Sequence, residues 1–250
     1  MTSSSRLDYD QLAAEYARHR QINPAVVRAL VQRGVADPAA RVLDVGCGTG
    51  NYARALSSLA GWRMSGLEPS AQMLERARDA APWDALVQGS AERLPFPANT
   101  FDLVMSTDVI HHVVDRDAYF REALRVLRPG GRIVTITDSR EDIRARRPLS
   151  NFFPETIDIE LRRYPALPTL IAEMSVAGFQ APDAVTTRHP YELIDLEPYR
   201  AKAFSSLKLI DETAFQRGIE RLETALAQGP ISAVSLYTLL WGDKPSEPTV

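Results

Sequence analysis

Cysteine is nearly absent: one residue, Cys47, in a chain of 250. That excludes an internal disulfide and fits a reducing compartment. Long apolar runs are missing as well. No stretch approaches the length of a membrane span, and the opening Met1-Thr2-Ser3-Ser4-Ser5-Arg6 has no apolar signal core, so a cytoplasmic protein without membrane insertion is expected. Nor does charge of one sign dominate. A formal net charge of −3 supplies no overall attraction to nucleic acid or to an anionic membrane. No internal repeat or low-complexity tract interrupts the chain. At 45% hydrophobic and 24% charged, the composition is that of an ordinary globular protein, long enough for one α/β domain with a modest cap.

What is present concentrates in one segment, Arg41-Val42-Leu43-Asp44-Val45-Gly46-Cys47-Gly48-Thr49-Gly50-Asn51-Tyr52. Val42 to Val45 reads as a buried strand broken by one acid, and an apolar-periodic stretch from Tyr52 to Leu59 reads as a helix. Glycines at such a junction allow a sharp turn and let a ligand approach the main chain, while the helix offers free N–H groups and a positive dipole end. The dinucleotide fingerprint G-x-G-x-x-G is not met, because Asn51 stands where its third glycine belongs, and no triphosphate-binding G-x-x-x-x-G-K-[ST] occurs. Asp44 would repel a phosphate and suits an ammonium group. Glu68, at the end of the next apolar run, is placed to accept both hydroxyls of a ribose. A cationic amino-acid head, a ribose and no phosphate describe S-adenosylmethionine.

Further motifs follow in order. Gly66-Leu67-Glu68-Pro69-Ser70-Ala71-Gln72-Met73-Leu74, Gly89-Ser90-Ala91-Glu92-Arg93-Leu94-Pro95-Phe96, Phe101 to Ser106 and Leu127 to Val134, together with the glycine turn, resemble the class I S-adenosylmethionine-dependent methyltransferases, in particular the bacterial quinone-biosynthesis-like group acting on small molecules. The resemblance covers Tyr9 to about Thr137. It implies a Rossmann-like, doubly wound seven-stranded α/β sheet of order 3-2-1-4-5-7-6, the last strand antiparallel, with helices on both faces. It also implies a single domain over residues 1–250, with N-terminal lid helices over 7–35 and a cap insertion over 139–168 near the acceptor. Independently, alternating patterns predict strands near 41–45, 62–67, 84–88, 101–106, 132–137, 181–187 and 232–241. Helices are predicted near 51–60, 70–80, 117–127, 168–177, 192–207 and 211–228, with Pro129-Gly130-Gly131 stopping the third.

On the resemblance, the cofactor S-adenosyl-L-methionine, leaving as S-adenosyl-L-homocysteine, meets Asp44, Gly46, Cys47, Gly48 and Gly50 at its methionine portion and Glu68 at its ribose. Pro69 and Met73 stand beside the adenosine, Thr107 beside the cofactor, and Tyr16 and Arg20 close over it from the N-terminal lid. Cys47 reads as a small residue within the turn rather than a nucleophile. Where the family commonly has aspartate against the adenine amino group, this chain has Ser90, followed by Ala91 and Glu92, and Glu92 is a substitute acceptor.

Methyl transfer from a sulfonium needs alignment and exclusion of water, and a base only when the acceptor carries a proton. Candidate bases are His111 and His112, which follow strand four where ligands bind beyond the strand ends. No Asn-Pro-Pro-Tyr-like motif follows that strand, and clustered carboxylates for magnesium are lacking, so no metal is predicted. Arg140, Arg144, Arg146 and Arg147 read as a solvated helix face, Glu141 and Asp142 beside them. The expected function is transfer of a methyl group to oxygen, nitrogen or carbon of a small, partly apolar metabolite by a monomer or homodimer. Alternatives are a tRNA- or RNA-modifying methyltransferase using the arginine cluster, and a non-catalytic regulatory protein that binds S-adenosylmethionine. The net charge speaks against a nucleic-acid partner.

Overall fold

The structure, a computed structural model, describes residues 22–246. Seven strands build one sheet: β1 (Arg41–Val45), β2 (Arg63–Glu68), β3 (Trp83–Gln88), β4 (Phe101–Thr107), β5 (Leu127–Thr137), β6 (Gln180–Leu193) and β7 (Ile231–Asp243). Their order is β3-β2-β1-β4-β5-β7-β6. The pairs among β1 to β5 are parallel, and β7 runs antiparallel to both its neighbours. The order and the reversed strand are those the resemblance implies.

Central parallel strands are apolar on both sides because both faces are covered. Leu43, Val45, Val104 and Leu240 join one buried cluster with Tyr119, Phe120, Leu170 and Met174. Their strand neighbours Val42, Leu103, Met105 and Trp241 join another with Leu30, Leu56 and Trp62. The helices that cover the faces are α1 (Pro24–Arg33), α2 (Asn51–Ala60), α3 (Ala71–Ala77), α4 (Arg116–Val126) and, after a run of smaller elements, a helix at Leu167–Ala177. Asn23 caps α1 by accepting from the N–H groups of Ala25 and Val26, and Asp115 caps α4 through Ala118.

Three departures from the sequence-based pattern have physical causes. β5 begins at Leu127, not near 132: Leu127 pairs with Phe101, the register then jumps to Leu103 with Arg132, and the Pro129-Gly130-Gly131 segment rides in the irregularity. β6 runs on to Leu193, where a helix was expected. Pro182 and Pro190 are tolerated in it because β6 is an edge strand paired only with β7. Beyond it, helix is limited to Glu197–Arg200 and a 3-10 turn at Ser205–Lys208, with Lys202 at φ +49 between them.

Residues 139–168 fold into three short helices, α5 (Arg140–Ala145), α6 (Leu149–Phe152) and α7 (Glu155–Arg163). Leu149 and Phe153 join a third buried cluster with Leu193, Tyr199, Leu207, Phe215 and Leu222, the last two from the helix Glu212–Leu226. This segment thus shares its apolar cluster with residues from Leu193 to Ala233.

Candidate active site

Parallel β1 and β4 lie side by side, Asp44 opposite Met105, while β1 leads to β2 on one side and β4 to β5 on the other. A cleft opens at such a reversal, beyond the carboxyl ends of the strands. Here it has about 420 Å³ and is walled by Asp44, Gly46, Cys47, Gly48 and Thr107, all expected, and by Thr49, Tyr52 and Asp108.

The glycine turn hangs from β2: the N–H groups of Gly46 and Cys47 both donate to the Leu67 carbonyl, at 2.7 and 3.1 Å. Gly46 has φ +71, and a Cβ there would stand 2.4 Å from a Val109 methyl carbon. Gly50, φ 79, is the N-cap of α2 and makes no side-chain hydrogen bond there. Gly50 packs toward Trp83 and does not line the cleft.

Asp44 is 3% exposed and its carboxylate accepts no hydrogen bond among the described residues. Burial, and secondarily the charge of Glu68, push its pKa up to about 7. A buried carboxylate is costly to leave uncompensated, so the position suits a cationic group. The same burial, with the Asp44 and Glu68 charges, raises the Cys47 thiol far above its usual value, leaving it inert as a nucleophile. Thr107 adds a second unsatisfied group, a buried Oγ1 without a hydrogen bond.

Glu68 is buried behind the turn, where its oxygens accept from Gly48 N at 2.9 Å and Ser70 N at 3.0 Å. It therefore fixes the turn's shape. Pro69 is exposed, and Met73 is buried on α3, whose N-cap Ser70 accepts from the Met73 N–H.

The segment of Ser90, Ala91 and Glu92 does not line this cleft. Ser90 is exposed, Ala91 packs against the core, and Glu92 accepts from Val114 N at 3.0 Å. Burial raises the Glu92 pKa, but its own N–H, the Ser90 hydroxyl and the N–H groups of Val114 and Asp115 outweigh that and hold it below the usual value. This carboxylate clasps the loop after β4.

His111 and His112 sit on a 3-10 turn, Ile110–His112. The His111 ring stacks on Tyr164 with centroids 4.0 Å apart, and His112 tilts against it at 4.0 Å. Tyr164 belongs to a second cavity, about 590 Å³, walled also by Asp108, Asp138, Arg146, Tyr191, Tyr199 and Tyr237. Of the arginine cluster, Arg140, Arg144 and Arg147 are exposed, but Arg146 is a correction to the solvated-face expectation. It turns inward and pairs with buried Asp138, 3.2 Å away, and with buried Glu160. Tyr164 and Tyr191 are aromatics that the sequence offers for an acceptor pocket, whereas Asp108, Asp138, Tyr199 and Tyr237 carried no motif, so only their meeting in space marks them. Tyr16 and Arg20 lie outside the described residues.

Fold and cleft together define an α/β domain for a nucleotide-type ligand with a cationic end. Residues 43–135 match the family described as methyltransferase domain. A 2-methyl-6-phytyl-1,4-hydroquinone methyltransferase of Synechocystis is 36% identical over 124 residues, covering 47% of this chain and 39% of that protein. A ubiquinone/menaquinone biosynthesis C-methyltransferase of Hahella chejuensis is 34% identical over 145 residues, covering 53% and 58%. The matches thus span well under two thirds of those curated relatives. Among solved structures, one from Anabaena variabilis, described as a methyltransferase from an antibiotic biosynthesis pathway, superposes with a TM-score of 0.73 at 24% identity, covering 89% of this chain and 98% of that one. Phosphoethanolamine N-methyltransferase 2 of Haemonchus contortus, in complex with S-adenosyl-L-methionine, superposes at 0.60 with 19% identity, covering 98% and 59%. Residues 43–135 accordingly match a methyltransferase domain, and this part of the chain is similar to methyltransferases of the quinone-biosynthesis group. No helix of the described residues is long and apolar enough to cross a membrane.

Proposed function

We propose that this protein transfers the methyl group of S-adenosylmethionine to oxygen, nitrogen or carbon of a small, partly apolar metabolite, as a cytoplasmic monomer or homodimer. The observation that carries the reading is Asp44, a buried carboxylate that accepts no hydrogen bond among the described residues, in one wall with the glycine-rich turn that leads into α2. The donor's ammonium answers the first, and its main-chain-sized methionine portion fits the second. When bound, the donor supplies a methyl already activated on a sulfonium, so the protein's task is to bind, align and exclude water.

In this reading Asp44 neutralises the ammonium, Glu68 accepts from the ribose hydroxyls, Gly46, Cys47 and Gly48 leave room for the methionine portion, and Gly50 opens α2 behind them. Thr107 Oγ1 turns to the donor, while Pro69, Met73, Ser90, Ala91 and Glu92 shape the adenosine side, Glu92 by holding the loop. Tyr16 and Arg20 close the site from the segment that precedes α1. The cap over 139–168 walls the acceptor side, and His111 braces that wall through Tyr164.

The test is calorimetry with S-adenosylhomocysteine, followed by isotopically labelled methyl donor in a metabolite screen with mass spectrometry of products. Saturable binding and labelled small molecules are expected. No binding at millimolar ligand would refute the donor site, and binding without any labelled product would leave a regulatory cofactor-binding protein.

A further inference from the structure

The donor cleft and the second cavity adjoin at the carboxyl ends of β4 and β5, and Asp108 is the residue common to their walls. Its backbone is held on β5, Asp108 N donating to Ile136 O at 3.0 Å, and it takes φ +57, a left-handed conformation that a non-glycine residue adopts seldom. Its carboxylate is oriented by Tyr237, whose hydroxyl donates to Oδ2 at 3.2 Å from the reversed strand β7. On the far side, Arg146 is committed to Asp138 and Glu160, and Arg147 stands in the same wall. Four tyrosine rings, Tyr164, Tyr191, Tyr199 and Tyr237, supply apolar wall with polar tips.

We propose that the second cavity is the acceptor subsite and that Asp108 is the group at which donor and acceptor meet, its carboxylate facing the position of the transferred methyl. The proposal rests on the methyltransferase reading above and narrows it to acceptors that present an N–H or O–H. In the transfer, the acceptor lone pair forms the new bond to the methyl carbon and the carbon–sulfur bond breaks with its electron pair kept by sulfur. The proton of the acceptor N–H or O–H passes to the Asp108 carboxylate and then to water. Asp108 is suited to this as neither histidine is, since His111 and His112 stack behind Tyr164 and line neither cavity.

An acceptor-independent test uses sinefungin, the S-adenosylhomocysteine analogue whose ammonium stands where the methyl would be. Calorimetry should show the wild type preferring sinefungin to S-adenosylhomocysteine. In Asp108→Asn that preference should fall about ten- to a hundredfold, the usual worth of a hydrogen bond between charged groups, while S-adenosylhomocysteine binding stays within about threefold. Asparagine is isosteric and enters the left-handed region readily. Asp108→Gly, strain-free at this φ, is the second variant should Asp108→Asn fold poorly. An unchanged preference in a variant that still binds S-adenosylhomocysteine overturns the proposal, as does a wild type indifferent between the two ligands. A wild type that binds neither ligand overturns the methyltransferase reading itself.

Discussion

Asp44 shows how a single residue couples burial, charge and ligand. Its pKa, raised from 3.8 to about 7 by burial and by Glu68, means that the folded protein holds a proton there which the unfolded chain releases. The stability contribution is present below pH 3.8 and is lost as pH rises through about 7. Asp44→Asn should therefore raise the melting temperature of the ligand-free protein more at pH 8 than at pH 5, read by thermal denaturation. A bound ammonium reverses the balance by favouring the ionised form. Affinity for S-adenosylhomocysteine should climb as pH rises toward about 7 and then level, with protons released on binding below that point; calorimetry in buffers of different ionisation enthalpy measures both. A flat pH profile, or one that Asp44→Asn leaves intact, would remove Asp44 from the ammonium site. Gly46 makes a steric counterpart. Gly46→Ala places a methyl group 2.4 Å from Val109 Cγ2 at φ +71, and should cost about 1–3 kcal/mol in urea denaturation along with weaker donor binding. Both residues were legible, because strand, acid and glycine turn are consecutive and their chemistry is local. Asp108 was not: one position beyond Thr107, it has no pattern of its own and gains meaning only where two cavities share a wall.

Among the elements, α5 shows a reading that was local and half right. The mixed charges of Arg140 to Arg147 do describe a helix with solvated residues, closed by a capping box in which Ser139 and Asp142 exchange hydrogen bonds. What the pattern missed is the helix end, where Arg146 is drawn inward by Asp138 and by Glu160 of α7, some fourteen residues downstream. Both carboxylates are only 4% exposed. Arg146→Met should strand two buried anions and cost about 3–5 kcal/mol, checked by urea denaturation at neutral pH. Adding Asp138→Asn and Glu160→Gln should restore much of the loss. A single variant as stable as wild type would show that the triad bears little on the cap's fold. The helix expected over 192–207 failed for a related reason. Pairing with β7, partner by partner from Asp183 to Leu193, outweighed the local helical pattern, and Pro198 and Lys202 confined what helix remained.

For the molecule as a whole, the sheet order decides where the chemistry can happen, because one reversal between β1 and β4 opens the cleft and the antiparallel β7 brings Tyr237 to Asp108. β7 also anchors the sheet through Trp241, which is fully buried, with the Arg132 guanidinium 4.8 Å from its ring. Trp241→Ala should cost about 3–5 kcal/mol, whereas Val176→Ala, at a position 83% exposed, should stay within about 0.5 kcal/mol. Chemical denaturation distinguishes these outcomes, and equal effects would mean the β5–β7 seam contributes no more than surface does.

The sequence by itself determined the sheet, its two apolar faces and the glycine turn with its buried acid, since apolar strand runs, glycine turns and a strand-end acid act within a few residues of one another. Tertiary structure alone decided the third apolar cluster, the inward turn of Arg146 and the shared wall at Asp108. Each of these depends on contacts between segments tens of residues apart, whose energies come from burial and charge pairing that no short stretch of sequence encodes.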